Sequence, residues 1–238
     1  MYIDIHAHIL PAVDDGAKNI DESLSLLKML KAQNVGAVAA SPHFYPRREN
    51  SVSEYKERIL SAYQQLLKQK SDDMPEIYLG SEIHYFKGIS LFSDIDKLCI
   101  GNSKYILIEL PYRNISASMI NEVVELNLNQ ELIPILAHIE RYRGFQGFEQ
   151  ILKLISDGFA LGQVNAYSLL EFKSRRFTIK LIKAGFVSFI ASDCHSVDGF
   201  PPRIDEALKK IDKKCGSSVL ETLKQNSQDL YNKIKGND

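Results

Sequence analysis

The sequence predicts an α/β protein in which parallel strands alternate with helices and close into a barrel of seven strands. Three observations predict it. Short apolar runs alternate with longer amphipathic stretches along the whole chain, the pattern of strands joined by helical crossovers. The 238 residues are enough for one large core, and seven such units at this length suit a closed β/α barrel better than an open doubly wound sheet. Five of the six histidines fall at or just past the C-terminal ends of the apolar runs, where a barrel builds its active site.

Element by element, the strands read 2–8 (YIDIHAH), 37–43 (AVAASPH), 77–83 (IYLGSEI), 105–111 (YILIELP), 132–138 (LIPILAH), 160–166 (ALGQVNA) and 187–193 (VSFIASD). Helices are expected near 20–33, 53–69, 117–129, 146–157, 168–184 and 203–213, with a weaker helical tail over 217–234. In the first helix Ile20, Leu24, Leu27 and Leu30 recur at spacings of three and four, an apolar stripe. Ser51 followed by Glu54 reads as a capping box for the second. No repeat, low-complexity stretch or Gly/Pro/Ser-rich linker divides the chain, so residues 1–238 read as one domain.

Composition excludes several classes. Lys plus Arg is 29 against 30 for Asp plus Glu, a net charge of −1, which gives no reason to expect broad nucleic-acid or anionic-membrane binding. The three cysteines, Cys99, Cys194 and Cys215, are odd in number and lack CxxC spacing, so a reducing, cytoplasmic setting is expected. The start, Met1 to His6, lacks the basic and apolar regions of a signal peptide. No apolar run approaches the ~18 residues that span a bilayer.

The chemistry-bearing residues are His6, His8, His43, His138 and His195, with Glu82, Glu109 and Asp193 late in strands and Asp14 and Asp15 in the loop after the first strand. A buried carboxylate needs a partner, cationic side chains are scarce at these points, and metal cations are the natural remaining one. His6 and His8 are two apart on a strand and so share a face. Asp193 and His195 repeat the arrangement if strand geometry persists to His195. Imidazole with carboxylate suits zinc, manganese or iron. So many ligands point to two or three ions. Singly, each residue has an ordinary reading: His43 beside Pro42 as a loop histidine, Asp193 as a helix cap, His138 as a satisfied core histidine. Their shared strand-end position is what the ordinary readings leave unexplained. His84 lies beyond its strand end and reads as structural or substrate-facing. Cys194 alternates to the opposite face from its neighbours and reads as packing.

His6-Ala7-His8, Asp14-Asp15-Gly16, Ser41-Pro42-His43, Gly80-Ser81-Glu82, Ile108-Glu109, Ala137-His138-Ile139-Glu140-Arg141-Tyr142, Gln163-Val164-Asn165 and Ser192-Asp193-Cys194-His195 occur in that order. Together they resemble the PHP (polymerase and histidinol phosphatase) superfamily, and more narrowly its bacterial manganese-dependent protein-tyrosine-phosphatase branch, which regulates capsular and exopolysaccharide synthesis. The match runs from residue 2 to about 202. It implies a distorted seven-stranded β/α barrel of the TIM-like kind.

The resemblance divides the ligands among three metals. His6, His8, Glu82 and Asp193 hold the first, with Glu82 bridging to the second. Glu109 and His138 complete the second. Asp15, His43 and His195 hold the third, with Asp14 the alternative to Asp15. Manganese is implied, with Fe, Zn, Co or Mg as alternatives. Arg141 is expected to contact the phosphate and counts with His138 and His43 as catalytic. A second arginine is expected at the position of Phe200, where Arg203 is the nearby substitute.

These residues imply hydrolysis of a phosphate monoester by direct attack of a metal-bridging hydroxide, since bound metal lowers the pKa of water from 15.7 to about 7. No CxxxxxR signature of cysteine-based phosphatases is present. The loop Phe44-Tyr45-Pro46-Arg47-Arg48-Glu49-Asn50 follows His43, and Tyr45, Arg47 and Arg48 are expected either to grip the phosphotyrosine ring and nearby acidic residues or to form an exposed turn. The expected substrate is a phosphotyrosine protein, the tail of a bacterial tyrosine kinase, with no nucleic acid and no membrane insertion. The alternative is a small phosphomonoester, as in histidinol phosphatases. A polymerase-associated nuclease is disfavoured by the neutral charge. An amidohydrolase is disfavoured because no strand end supplies its bridging lysine, and a metal-dependent binding module is the non-catalytic reading.

Overall fold

The computed structural model describes residues 1–236, so the last two positions of the 1–238 domain lie outside the described residues. Strands and helices alternate as the sequence predicts. The strands are β1 (Tyr2–Ala7), β2 (Val35–Ala40), β3 (His43–Phe44), β4 (Glu76–Leu79), β5 (Glu82–His84), β6 (Tyr105–Glu109), β7 (Ile133–Leu136), β8 (Leu161–Asn165) and β9 (Phe189–Ala191). The helices are α1 (Ile20–Ala32), α2 (Val52–Leu67), α3 (Ala117–Gln130), α4 (Phe148–Ser156), α5 (Phe172–Lys183), α6 (Ile204–Cys215) and α7 (Ser217–Lys235).

Every strand pairing is parallel, in the orders β1-β2-β4 and β3-β5-β6-β7-β8-β9. The expected strand 37–43 is interrupted at Ser41-Pro42 and the expected strand 77–83 at Gly80-Ser81. Pro42 has no N–H to give to a ladder, which is reason enough for a break there. Bonds step across both breaks, from Ser41 N to Ala7 O at 3.0 Å and from Glu82 N to Pro42 O at 3.1 Å. The Tyr55 hydroxyl of α2 pins the breaks together, 2.9 Å from the Pro42 carbonyl and 3.0 Å from Ser81 Oγ.

The sheet curls on itself. Ile3 and Ile5 of β1, Ala37 and Ala39 of β2, Leu107 of β6, Ile135 of β7 and Phe189 of β9 meet in one buried cluster, which strands so far apart in order could not share if flat. At the far edge β9 leads back to β1: Asp193 N donates to His6 O at 2.8 Å and His8 N to Cys194 O at 2.9 Å. Leu230 and Ile234 of α7 complete that cluster, and Ser227 bonds both the N–H and the carbonyl of Ile3. The expected helical tail is therefore a core element.

Local chemistry sets the helix ends. Asn19 caps α1 by accepting from Glu22 N, and Ser51 caps α2 by accepting from Glu54 N. The reciprocal half of the α2 box is not formed, because the Glu54 carboxylate accepts from Asn50 instead. In α1, Leu26, Leu27 and Leu30 are buried, while Ile20 and Leu24 are partly buried against the same core. The stripe is thus turned slightly toward Leu26 from the one read in the sequence.

Candidate metal centre

The strand ends, the breaks between β2 and β3 and between β4 and β5, and the loops that follow them gather the sequence-predicted residues into one place. A cavity of about 410 Å³ is lined by Asp15, His43, Glu82, Glu109, His138, Asp193 and His195, together with Arg141, Tyr45, Tyr112, Ser196 and Phe200. His6 and His8 lie fully buried beneath it.

Four ligand atoms crowd the floor. His6 Nε2 and His8 Nε2 are 3.1 Å apart. Glu82 Oε2 lies 3.3 and 3.4 Å from them, and Asp193 Oδ1 lies 3.2 and 3.4 Å from them. Atoms each about 2.1 Å from a shared cation stand roughly 3.0–3.4 Å apart in octahedral or tetrahedral arrangement; the spacings around the two imidazoles fall in that range, and His6, His8 and Asp193 converge as one group with Glu82 beside them. Glu82 Oε2 also lies 2.9 Å from His43 Nδ1, yet the angles make no hydrogen bond, and both atoms are buried without a hydrogen-bond partner. A cation between such donors would satisfy them. The donor set therefore fits divalent metal.

Beside this cage, His138 Nε2 faces Glu82 Oε1 at 3.0 Å and Glu109 Oε1 at 3.6 Å. On the outer side, Asp15 Oδ1 lies 3.4 Å from His43 Nε2 and 3.6 Å from His195 Nε2. Within the described residues, His8, Asp15, His43 and His195 form one group of the right spacing for a metal, His6, His8 and Asp193 another, and His43, Glu82 and Glu109 a third.

Backbone geometry aims these groups. His138 and Asp193 take left-handed φ of 35° and 53°. For residues with a Cβ this costs on the order of 1–3 kcal/mol and is found where surrounding structure enforces it, commonly at functional sites. It also ends the expected strands early: β7 stops at Leu136 and β9 at Ala191, so strand geometry does not persist from Asp193 to His195. Both side chains still reach the cavity, delivered by turns rather than by alternation. Gly16 has a steric reason of its own, because a Cβ there would sit 2.2 Å from the His8 carbonyl oxygen.

Asp14 and Asp15 separate cleanly. Asp14 Oδ2 bonds His8 Nδ1 at 2.7 Å and accepts from His43 N at 3.0 Å, while Asp15 is 70% exposed and faces His43 and His195. Asp14 therefore holds the His8 ring so that Nε2 points into the cage.

The electrostatics are those of a site built for cations. Burial alone would lower the His8 pKa, but the carboxylates of Asp14, Asp193 and Glu82 hold it well above the usual imidazole value. Burial opposes ionisation of Glu82, yet His6, His138 and His43 keep its carboxyl well below the usual range. Asp193 is likewise held low by His6 and His8 against its own burial. Protons on the imidazoles offset charge that a divalent ion would otherwise neutralise.

Two residues without an assigned role in the sequence reading organise the cage from behind. Gln163 and Asn165 are two apart on β8 and share a face, the same signal that marked His6 and His8. Gln163 Oε1 accepts from His138 N at 2.8 Å and lies 3.3 Å from His6 Nδ1; its amide donates to Asn165 Oδ1, and Asn165 donates to Asp193 Oδ2 at 2.6 Å. Outer partners of this kind typically contribute 10–100-fold to metal affinity. Gln163→Leu should weaken metal binding by about that factor with the fold intact, read by metal titration of chelated protein; unchanged affinity would remove the role.

Arg141 stands at the cavity wall, with Nη2 donating to Asp193 Oδ2 at 2.8 Å and Nη1 to the Tyr112 hydroxyl at 3.1 Å. Phe200 lines the cavity. Arg203 does not reach it: its guanidinium forks onto Glu206 one turn along, at 2.8 and 2.6 Å, a match of planar donors to carboxylate. Tyr45 lines the cavity, and Arg48 stacks over its ring at 4.7 Å. Arg47 and Arg48 are exposed beside a neighbouring hollow. His84 bonds Glu109 Oε2 through Nδ1 at 3.0 Å. Cys194 is fully buried with its thiol pushed up to about 12 by burial, which fits packing.

Comparison with known proteins places this geometry. The family described as capsular polysaccharide synthesis, CpsB/CapC, matches residues 2–232. A putative tyrosine-protein phosphatase CapC from Staphylococcus aureus is 33% identical over 238 residues, covering 95% of this chain and 89% of that protein. A crystal structure from work on YwqE of Bacillus subtilis and CpsB of Streptococcus pneumoniae, described as metal-dependent tyrosine phosphatases, superposes with a TM-score of 0.82 at 28% identity, covering 98% of this chain and 94% of that one. A histidinol phosphate phosphatase from Lactococcus lactis, solved with zinc, shares the fold with a TM-score of 0.52 at 12% identity over 93% of both chains.

Proposed function

This chain belongs to the CpsB/CapC family of capsular polysaccharide synthesis, and from that premise we propose that it is a metal-dependent protein-tyrosine phosphatase. The observation that carries the reading is the cage of His6, His8, Glu82 and Asp193 beneath a cavity whose wall presents Arg141. We assign His6, His8, Glu82 and Asp193 to a first ion, Glu82, Glu109 and His138 to a second, and Asp15, His43 and His195 to a third. Manganese is the proposed metal; imidazole and carboxylate donors suit it. We also read the nine strand segments as seven staves of a distorted barrel, β2 continuing into β3 and β4 into β5.

Divalent ions bound there supply Lewis-acid polarisation of phosphoryl oxygens and water of lowered pKa. The chain supplies the rest. Arg141 binds non-bridging phosphoryl oxygens, held ready by Asp193 and Tyr112. Tyr45 and Tyr112 flank the cavity and take the substrate ring between aromatic faces. His43 and His138 keep their ring nitrogens against Glu82, so both stay aimed at the reacting centre.

The proposed protein partner is the phosphorylated tail of a bacterial tyrosine kinase, met in the cytoplasm. The three cysteines are free, and no helix of the described residues is long and apolar enough to cross a membrane.

The deciding experiment compares turnover of a phosphotyrosine peptide with that of histidinol phosphate by the manganese-loaded protein. The peptide should be preferred by at least about tenfold, a difference of about 1.4 kcal/mol in transition-state binding. Preference for histidinol phosphate would transfer the reading to a small-molecule phosphatase. Arg141→Ala should raise KM for an aryl phosphate and lower kcat/KM by about 10–100-fold, the loss of a charge-assisted bidentate contact. Steady-state kinetics checks it, and a change under twofold would exclude the contact.

A further inference from the structure

A second hollow, of about 590 Å³, opens beside the metal cavity and shares Tyr45 and Tyr112 with it as a common wall. That volume is within the range of about 300–1,000 Å³ typical of ligand sites. Its rim carries four exposed cations, Arg47, Arg48, Lys87 and Arg113, and no acidic side chain lines it. They come from the loops that follow β3, β5 and β6, which are neighbours in the sheet, so the charge is gathered by topology. Among the described residues none of the four forms an ion pair. Glu122 of α3, beside this wall, is already held by the backbone N–H groups of Gly88 and Ile89 at 2.8 and 3.2 Å. Between the cations the surface is aromatic and apolar, with Tyr85, Phe86 and Met119.

Four like charges around one hollow repel one another, and an anionic occupant would relieve that repulsion. The occupant must also reach the metal cavity across Tyr45 and Tyr112, because the two spaces adjoin there. A polypeptide whose phosphotyrosine sits over the metals meets both demands. We propose that this hollow is a docking groove for the residues flanking the phosphotyrosine, and that it selects acidic side chains among them. Arg47 and Arg48 take one side, Lys87 and Arg113 the other, and the aromatic floor receives the apolar parts of the peptide. The proposal rests on the phosphatase reading and adds the sequence preference of its substrate.

The test uses two fluorescently labelled phosphotyrosine peptides of equal length, one with Asp and Glu flanks and one with Asn and Gln in their place. The phosphotyrosine in both is replaced by its non-hydrolysable difluoromethylphosphonate analogue, so that the manganese-loaded protein cannot turn the peptide over while binding is followed by anisotropy. The acidic peptide should bind at least about tenfold more tightly, and the advantage should shrink as salt rises from about 0.05 to 0.5 M, because exposed charge pairs are screened. Lys87→Gln combined with Arg113→Gln should cut the advantage at least about threefold while changing affinity for the Asn/Gln-flanked peptide less than twofold. Both side chains are exposed, so the fold is not at stake. Equal affinity of the two peptides, or an advantage undiminished by the double variant, overturns the groove. Aryl-phosphate turnover in the same samples reports on the phosphatase reading separately. Peptide preference without turnover would sustain the groove and sink the phosphatase, whereas turnover without preference would sink the groove alone.

Discussion

Glu82→Gln is expected to lower kcat on an aryl phosphate by at least about 10³-fold and to leave the purified protein short of metal. The reason lies in how many groups this one carboxylate serves. Glu82 is 1% exposed, with Oε1 at 3.0 Å from His138 Nε2 and Oε2 at 2.9, 3.3 and 3.4 Å from nitrogens of His43, His6 and His8. Glutamine keeps the shape but removes the negative charge and turns one acceptor into a donor. That N–H₂ would face ring nitrogens that must themselves be free to bind metal. Loss of a single group that stabilises transition-state charge typically costs 10²–10³. Glu82 is proposed to serve two metals at once, so the larger end is the minimum expected. Elemental analysis should show the metal content reduced, and circular dichroism should show the fold retained. A variant with full metal content and turnover within tenfold of the parent would remove Glu82 from the centre.

Much of this site was legible because its residues obey simple spacing. His6 and His8 follow the two-residue repeat of a strand, and Glu109 closes β6 where a parallel sheet opens its loops, while Glu82 opens β5 just past the break after β4. What was not legible depends on tertiary events. The left-handed turns at His138 and Asp193 cannot be read from a periodicity that assumes the strand continues. Asp14 and Asp15 are chemically alike in sequence, and only the loop's path over Gly16 decides which one bonds His8 and which faces His43. Proximity in sequence makes Arg203 the substitute for a missing arginine, but its local carboxylate at Glu206 holds the guanidinium. The roles of Gln163 and Asn165 lie behind the cage, where hydrogen bonds to backbone and carboxylate matter and no charge pattern advertises them. In the fold, the alternation of strands and helices carried over well. The weak amphipathic tail gave little sign that Leu230 and Ile234 of α7 would fill a cluster shared by β1 and β9.

Stripping the divalent ions should lower the melting temperature by about 5–11 °C for each site vacated. A ligand at about 100 times its Kd adds about 2.7 kcal/mol to stability. For a chain of this size each kcal/mol moves Tm by roughly 2–4 °C. The shift should also depend on pH, and its sign follows from the imidazoles. His6 and His8 are held above the usual imidazole value by Glu82, Asp193 and Asp14, against the lowering effect of burial. In chelated protein they therefore contribute stability below the unfolded imidazole pKa of about 6.5, and that contribution is lost as pH rises through their raised folded values. Metal binding needs both rings neutral, so it releases protons and tightens as pH rises over the same window. The two trends oppose each other: chelated protein weakens toward alkaline pH while metal-loaded protein does not. Melting curves with and without chelator, at about pH 6 and pH 8.5, should show the larger gap at the higher pH. A gap that is absent, or that narrows on the alkaline side, would mean that these imidazoles do not exchange protons for metal. The cage would then be a buried ion-pair network and not a binding site.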